Sequence, residues 1–282
     1  MHRRLRELGW VDGKTCRYVD AYGEGSEAHL DELASTLVRE QVDVIYALGP
    51  EAAIAAARKS RTIPIVFWGV PYPVEQGLVE SFPRPHGNAT GVAWNDPGVD
   101  AKRVEILREI APSARRLASI IVPAAVRTVS GRRIEVTTDV LAARALGFEV
   151  REFPVSSSGD FAQAFDAILA WEAQALTAWG HSLTYRERRR IVDFANRSRL
   201  PSSFTVRQFA EAGGLVSYAI VMAPTFVRIA EYVDQVLRGA QPGELPVSIP
   251  REYELAINVK TARALGLRVP KPLLLRADRV IE

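Results

Sequence analysis

Residues 42–68 read V-D-V-I-Y-A-L-G-P-E-A-A-I-A-A-A-R-K-S-R-T-I-P-I-V-F-W. Two short apolar runs of strand length, Val42–Leu48 and Ile63–Trp68, flank an alanine-rich helical stretch, Glu51–Lys59. A strand, a short helix and a second strand on brief connections require a parallel pair joined by a crossover. Strands this continuously apolar are those of a sheet covered on both faces. The segment therefore sets an α/β class, and the same rhythm extends from it in both directions.

Upstream, Arg17–Ala21 reads as a strand. Glu27–Glu40 reads as a helix with Leu30, Leu33, Ala34, Leu37 and Val38 on one face. Downstream, Asn88–Gly98 is rich in Gly, Asn and Pro and reads as a break. The alternation then restarts. Helices are expected over 99–110, 132–146, 160–171 and 185–197, with strands over 117–122, 148–153 and 175–179 between them. The end is less regular, with strands at 215–218 and 252–258 and helices at 225–237 and 259–265. Two arrays in series predict two doubly wound parallel-sheet lobes: residues 1–97 with 219–243, and residues 98–218 with 244–282.

Length agrees, since 282 residues suit two domains of roughly 100 to 150 residues better than one core. Hydrophobic residues at 48% and charged residues at 24% place the chain among globular proteins rather than disordered or fibrous ones. The formal net charge of +3 is spread along the chain, and the densest basic stretch, Arg186–Arg190, is interrupted by Glu187. A nucleic-acid partner is therefore not expected. One cysteine, Cys16, allows no intrachain disulfide, and the four histidines form no metal-ligand spacing. No run of 18 apolar residues occurs, and the N-terminal residues 1–9 lead into no apolar segment of an export signal. Phosphate-loop, nucleophile-elbow and dinucleotide fingerprints are all missing, and Gly23-Glu24-Gly25-Ser26 reads as a turn and helix cap. Neither an enzyme nor a cofactor-dependent protein is expected.

In open parallel sheets ligands lie beyond the carboxyl ends of the strands. Those ends carry Gly49, Pro50 and Glu51, then Tyr72, then Val122-Pro123-Ala124, then Trp179 and His181, and then Ser203. Trp94 stands at the first crossover and Tyr218 near the last. Gly49-Pro50 before a helix leaves backbone N–H groups able to meet an anion such as a carboxylate. Clustered aromatics suit a planar or apolar ligand. Candidate ligand-binding residues are thus Gly49, Pro50, Glu51, Tyr72, Trp94, Trp179, His181, Ser203 and Tyr218.

Several runs, taken together, carry a resemblance. They are L-R-E-L-G-W-V-D-G (5–13), V-D-V-I (42–45), I-P-I-V-F (63–67), G-N-A-T-G-V (87–92), A-K-R-V-E-I-L-R-E (101–109), E-A-G-G-L-V-S-Y (211–218) and N-V-K-T-A-R-A-L-G (258–266). In this order and spacing the chain resembles the substrate-binding proteins of ABC transporters, in the group related to tryptophan and tyrosine uptake. The resemblance covers essentially the whole chain. It implies the type I periplasmic binding protein fold, a small-molecule ligand in an interlobe cleft, a membrane permease as partner, a monomeric state and a periplasmic location. A ligand-sensing intracellular domain of the same fold is the alternative.

Two departures stand out. The chain opens in what the family has as the helix after its first, central strand. The sequence therefore predicts a lobe one without that strand, and a Met1 that is not the start of an exported form. In addition, Tyr72-Pro73-Val74 replaces a common Asp-Pro-Val, and Ala219–Pro224 replaces Gly-Pro and a polar residue after Ser217-Tyr218. Losing that carboxylate removes a group able to hold a ligand ammonium.

Overall fold

The computed structural model describes residues 1–23, 27–94, 97–122, 129–130, 138–178 and 180–282. The chain divides into two compact units, and each has its own sheet. Unit one takes the described residues within Met1–Asn95, Ala125–Glu135 and Val221–Arg251. Unit two takes those within Asp96–Ala124, Val136–Ile220 and Glu252–Glu282.

The sheet of unit one has three parallel strands in sequential order, β1 (Ile45–Leu48), β2 (Ile65–Val70) and β3 (Ala89–Ala93). Alternation along β2 divides the core in two. Ile65 and Phe67 join Ile45, Ala47, Ala53 and Ala57 under α3 (Pro50–Lys59). Val66 joins Val92, Ile229, Tyr232 and Val233 under α10 (Met222–Leu237), with Leu5 of α1 (His2–Glu7) closing that side. The helix expected from residue 27 is α2 (Glu27–Arg39).

Two expectations for this unit need correcting. Residues 17–21 form no strand. Gly13 N donates to Cys16 O (2.9 Å) and Tyr18 N to the Asp12 side chain (2.9 Å), so the segment is held by local bonds instead. A strand exists only through its pairing, and β1 pairs with β2 alone among the described residues. Conversely, the Gly/Asn/Pro-rich stretch read as a break contains β3, buried along its whole length. Its glycine is required by packing. A Cβ on Gly91 would lie 2.0 Å from Phe67 O, so the β2–β3 contact excludes any side chain there.

Unit two carries seven strands in the order β10-β9-β8-β7-β6-β4-β5. These are β4 (Arg116–Ile121), β5 (Glu149–Pro154), β6 (Ala175–Ala178), β7 (Ser202–Phe204), β8 (Val216–Ile220), β9 (Tyr253–Asn258) and β10 (Arg279–Ile281). All neighbouring pairs are parallel except β8 with β9, so the lobe is not purely parallel as expected. On one face Ala118, Ile120, Phe153, Phe204 and Leu176 pack with Phe161 and Phe165 of α6 (Phe161–Ala170) and Phe194 of α8 (Arg188–Arg197). The other face is covered by α4 (Pro97–Ile110), α5 (Thr138–Ala145), α11 (Val259–Ala264) and α12 (Lys271–Arg276), whose Val104, Leu107, Ile106, Ala262 and Leu273 meet Leu117, Val216 and Ile257.

The expected helix over 185–197 is two pieces, α7 (Ser182–Arg186) and α8, and a short α9 (Arg207–Glu211) follows β7. Residues 132–137 of the expected helix over 132–146, together with Glu24–Ser26, lie outside the described residues. Residues 244–251, read with lobe two, run along unit one instead. Val247 N donates to Phe82 O (2.8 Å), Ser248 N to Gly91 O (2.9 Å), and Ala93 N to Ser248 O (2.9 Å).

Candidate functional site

In unit one the carboxyl ends of the three strands are tied together by backbone bonds. Gly49 N donates to Trp68 O (2.8 Å) and Trp94 N to Val70 O (2.9 Å), which aligns the residues that follow β1, β2 and β3. Gly49 has φ +89° and ψ 165°, a region closed to side-chain-bearing residues, and caps α3 with Pro50 at the first helical position. Glu51, half-buried in that first turn, complements the positive end of the helix.

After β2 the chain turns through Pro71-Tyr72-Pro73. Tyr72 adopts φ +49°, uncommon for a residue bearing a large side chain and costing about 1–3 kcal/mol. The turn is over-determined from below. Gln76, fully buried, donates through its side chain to Pro71 O, its N–H bonds Tyr72 O (2.9 Å), and its own carbonyl accepts from Val129 N (2.8 Å). Strain of this kind is retained where a side chain must be presented in one direction.

Trp94 packs edge-on against Trp68 (5.2 Å between ring centroids, 86°), and Trp68 stacks on Phe226 of α10 (5.7 Å, 21°). Tyr46, on β1, packs against the same core cluster as Trp68. Burial pushes its hydroxyl from 10 up to about 12. The sign follows from linkage. Below pH 10 folded and unfolded chains both keep the proton, whereas between 10 and 12 the unfolded chain loses it first and stability falls. Tyr46 should therefore remove about 2–3 kcal/mol across that window. Urea midpoints measured from pH 9.5 to 11.5 should decline more steeply in the wild type than in Tyr46→Phe, and parallel curves would refute this.

In unit two, Trp179 lies outside the described residues. His181 is the N-cap of α7. Its Nδ1 accepts from Leu183 N (3.0 Å), while its own N–H donates to Thr184 Oγ1 (3.1 Å). With Nδ1 acting as acceptor, the ring proton of the neutral form sits on Nε2. Ser203 is buried and donates to Arg103 O of α4 (3.3 Å), so its hydroxyl serves helix packing. Tyr218 stacks on Tyr253 (5.8 Å, 26°), and its carbonyl accepts from Arg103 Nε (3.4 Å). Arg103, only 3% exposed, also pairs through Nη1 with Asp100 Oδ1 (3.0 Å).

Thus Gly49, Pro50, Glu51, Tyr72 and Trp94 follow the strand ends of unit one, and Ser203 and Tyr218 are linked through Arg103 in unit two. Reading by sequence did not single out Trp68, Phe226 or Arg103, which the structure brings against Trp94, Trp68 and Tyr218 respectively. Trp68 ends an apolar strand and carries no sign of which ring it meets, and the spacing of Arg103 on α4 marks no buried cation. Among the described residues no group of three or more His, Cys, Asp or Glu could hold a metal ion, and no helix is long and apolar enough to cross a membrane.

Comparison with known proteins bears on the fold and the family. The family model described as ABC transporter substrate binding protein matches residues 1–281. A curated relative, the tyrosine-binding protein of Clostridioides difficile (strain R20291), is 26% identical over 266 residues, covering 94% of this chain and 75% of the relative. A conserved domain protein from Vibrio cholerae is 25% identical with a TM-score of 0.89, over 99% of this chain and 92% of that one. A Streptococcus pneumoniae ABC domain solved with L-Trp is 23% identical with a TM-score of 0.88 over the same shares. These likenesses assign the type I periplasmic binding protein fold, and the chain belongs to the ABC transporter substrate-binding protein family.

Proposed function

We propose that this protein is the substrate-binding component of an ABC importer that takes a small aromatic or carboxylate-bearing molecule in an interlobe cleft and delivers it to a membrane permease on the outer side of the cytoplasmic membrane. The observation that carries the reading is the rim of unit one. There the start of α3, a strained Tyr72 and Trp94 follow three aligned parallel strand ends. The family match over nearly the whole chain favours this over an intracellular sensor. The named ligands of the relatives, tyrosine and L-Trp, support an aromatic one.

Within this reading Gly49, Pro50 and Glu51 present the helix start to a carboxylate, and Tyr72, Trp94, Trp179, His181 and Tyr218 complete the contacts, while the buried Ser203 anchors α4 through Arg103 O. Arg103 holds Tyr218 from behind. Tyr72 offers a ring where the resembled family has a carboxylate. A free amino acid should consequently bind less well than its deaminated analogue, since the ammonium loses a charge-assisted partner. Such a partner contributes about 1.5–3 kcal/mol, or roughly 10- to 100-fold in Kd.

Isothermal titration with tryptophan, tyrosine, indole-3-propionate and 3-(4-hydroxyphenyl)propionate tests both points. Binding of the propionates more tightly than their amino acids is expected. No heat with any of the four would overturn the aromatic-ligand reading. Tight tryptophan binding unchanged by Tyr72→Ala would remove Tyr72 from the site.

A further inference from the structure

Three large rings in unit one stand half-buried: Trp68 in the carboxyl half of β2, Trp94 just after β3, and Phe226 of α10, which stacks on Trp68. The backbone is specially shaped beneath them. The β2–β3 register slips between Trp68 and Val70, so Gly69, at φ +74°, is bulged out of the ladder. A bulge of this kind re-aims the adjoining side chain and is concentrated beside binding sites. The bulge sets Trp68 and Trp94 nearly perpendicular, while Phe226 backs Trp68 as a parallel ring. Leu48, paired in register with Trp68 and so on the same sheet face, is 56% exposed. An apolar surface therefore continues from these rings to Gly49 and the start of α3.

We infer that Trp68 and Trp94 form the ring-binding subsite of this protein, with Phe226 as the residue that positions Trp68. The inference rests on the aromatic-ligand reading above and deepens it, because it names the occupant as a planar six-membered or bicyclic aromatic ring. A ring stacked on one wall of a perpendicular pair meets the other edge to face. Aromatic groups prefer both of these arrangements. A saturated ring of the same size has no quadrupole to match and loses this selectivity. The side chains singled out by sequence, Tyr72 above all, then flank the ligand while Trp68 reads its ring.

The test uses the full chain and two probes of one length and ring size, 3-phenylpropionate and 3-cyclohexylpropionate, in titration calorimetry with tryptophan fluorescence in parallel. The wild type should bind the aromatic acid at least about tenfold more tightly than the cyclohexyl acid. Trp68→Leu and Trp94→Leu should each weaken the aromatic acid about 10- to 100-fold and abolish the preference, and Trp68→Phe should restore most of it. Phe226→Ala should weaken binding, with Phe226→Tyr recovering it, while far-UV circular dichroism and urea midpoints of the leucine variants report folding. Wild-type binding that survives Trp68→Leu and Trp94→Leu at unchanged Kd would overturn the subsite and leave the transport reading intact. Absence of binding by the wild type would overturn both.

Discussion

Gly91→Ala should destabilise unit one by at least about 3 kcal/mol, more than removing most core methylenes. The added methyl would stand 2.0 Å from Phe67 O, 2.7 Å from Phe67 N and 2.8 Å from Phe67 C. All three are backbone atoms of the central strand, so no rotamer change relieves the overlap. Only a separation of β2 from β3 does, and that breaks the Phe67–Gly91 register against a strand, β3, buried along its whole length. Trp68 adjoins Phe67 and Trp94 follows Gly91 by three residues, so the same substitution should shift tryptophan emission and weaken ligand binding. Urea unfolding followed by tryptophan fluorescence is the measurement. A midpoint within error of the wild type would mean that the strands do not approach as closely as this geometry requires.

Tyr232→Ala is expected to cost about 3–5 kcal/mol and Tyr232→Phe about 1–3 kcal/mol. The ring is fully buried among Val66, Val92 and Ile229. Its hydroxyl bonds Pro246 O and Ser248 Oγ (2.6 Å) and accepts from Arg228 Nη2 (3.2 Å). Ser248 in turn pairs its backbone with Gly91 and Ala93, so the hydroxyl clamps the segment that edges β3. The ranking decides the point. Ring removal leaves a cavity and also loses the three hydroxyl bonds, whereas hydroxyl removal does only the second. Equal losses for the two variants would show that packing contributes nothing beyond the hydrogen bonds. Chemical denaturation of both variants at pH 7 would read the difference directly.

Helices were legible wherever one apolar stripe recurs, because that pattern is local. Residues 27–39, 161–170 and 222–237 each carry it within a few turns. Strand identity was legible where four or more apolar residues run together, as at Ile45–Leu48 and Ile65–Val70. The candidate rim was legible only as an order of residues along the chain. Gly49, Tyr72 and Trp94 follow strand ends by rule, but nothing local says that Gly49 N meets Trp68 O or that Phe226 meets Trp68 across 158 positions. The surroundings of Ser203 and His181 were equally hidden. Both stand at strand ends by position, yet one bonds a helix carbonyl and the other caps a short helix.

By itself, then, the sequence determined the α/β class, the succession of two arrays and the kinship with ABC substrate-binding proteins, since each depends on periodicity or on the order of short motifs. Tertiary structure alone decided that Ala89–Ala93 is a buried strand, that residues 17–21 are not a strand, that β9 runs against β8, and that Trp68 is backed by Phe226. The physical reason is common to all four. A strand is made by its partner and a ring by the ring it meets. Those partners are brought together by folding across tens to hundreds of residues, a distance over which propensity carries no information.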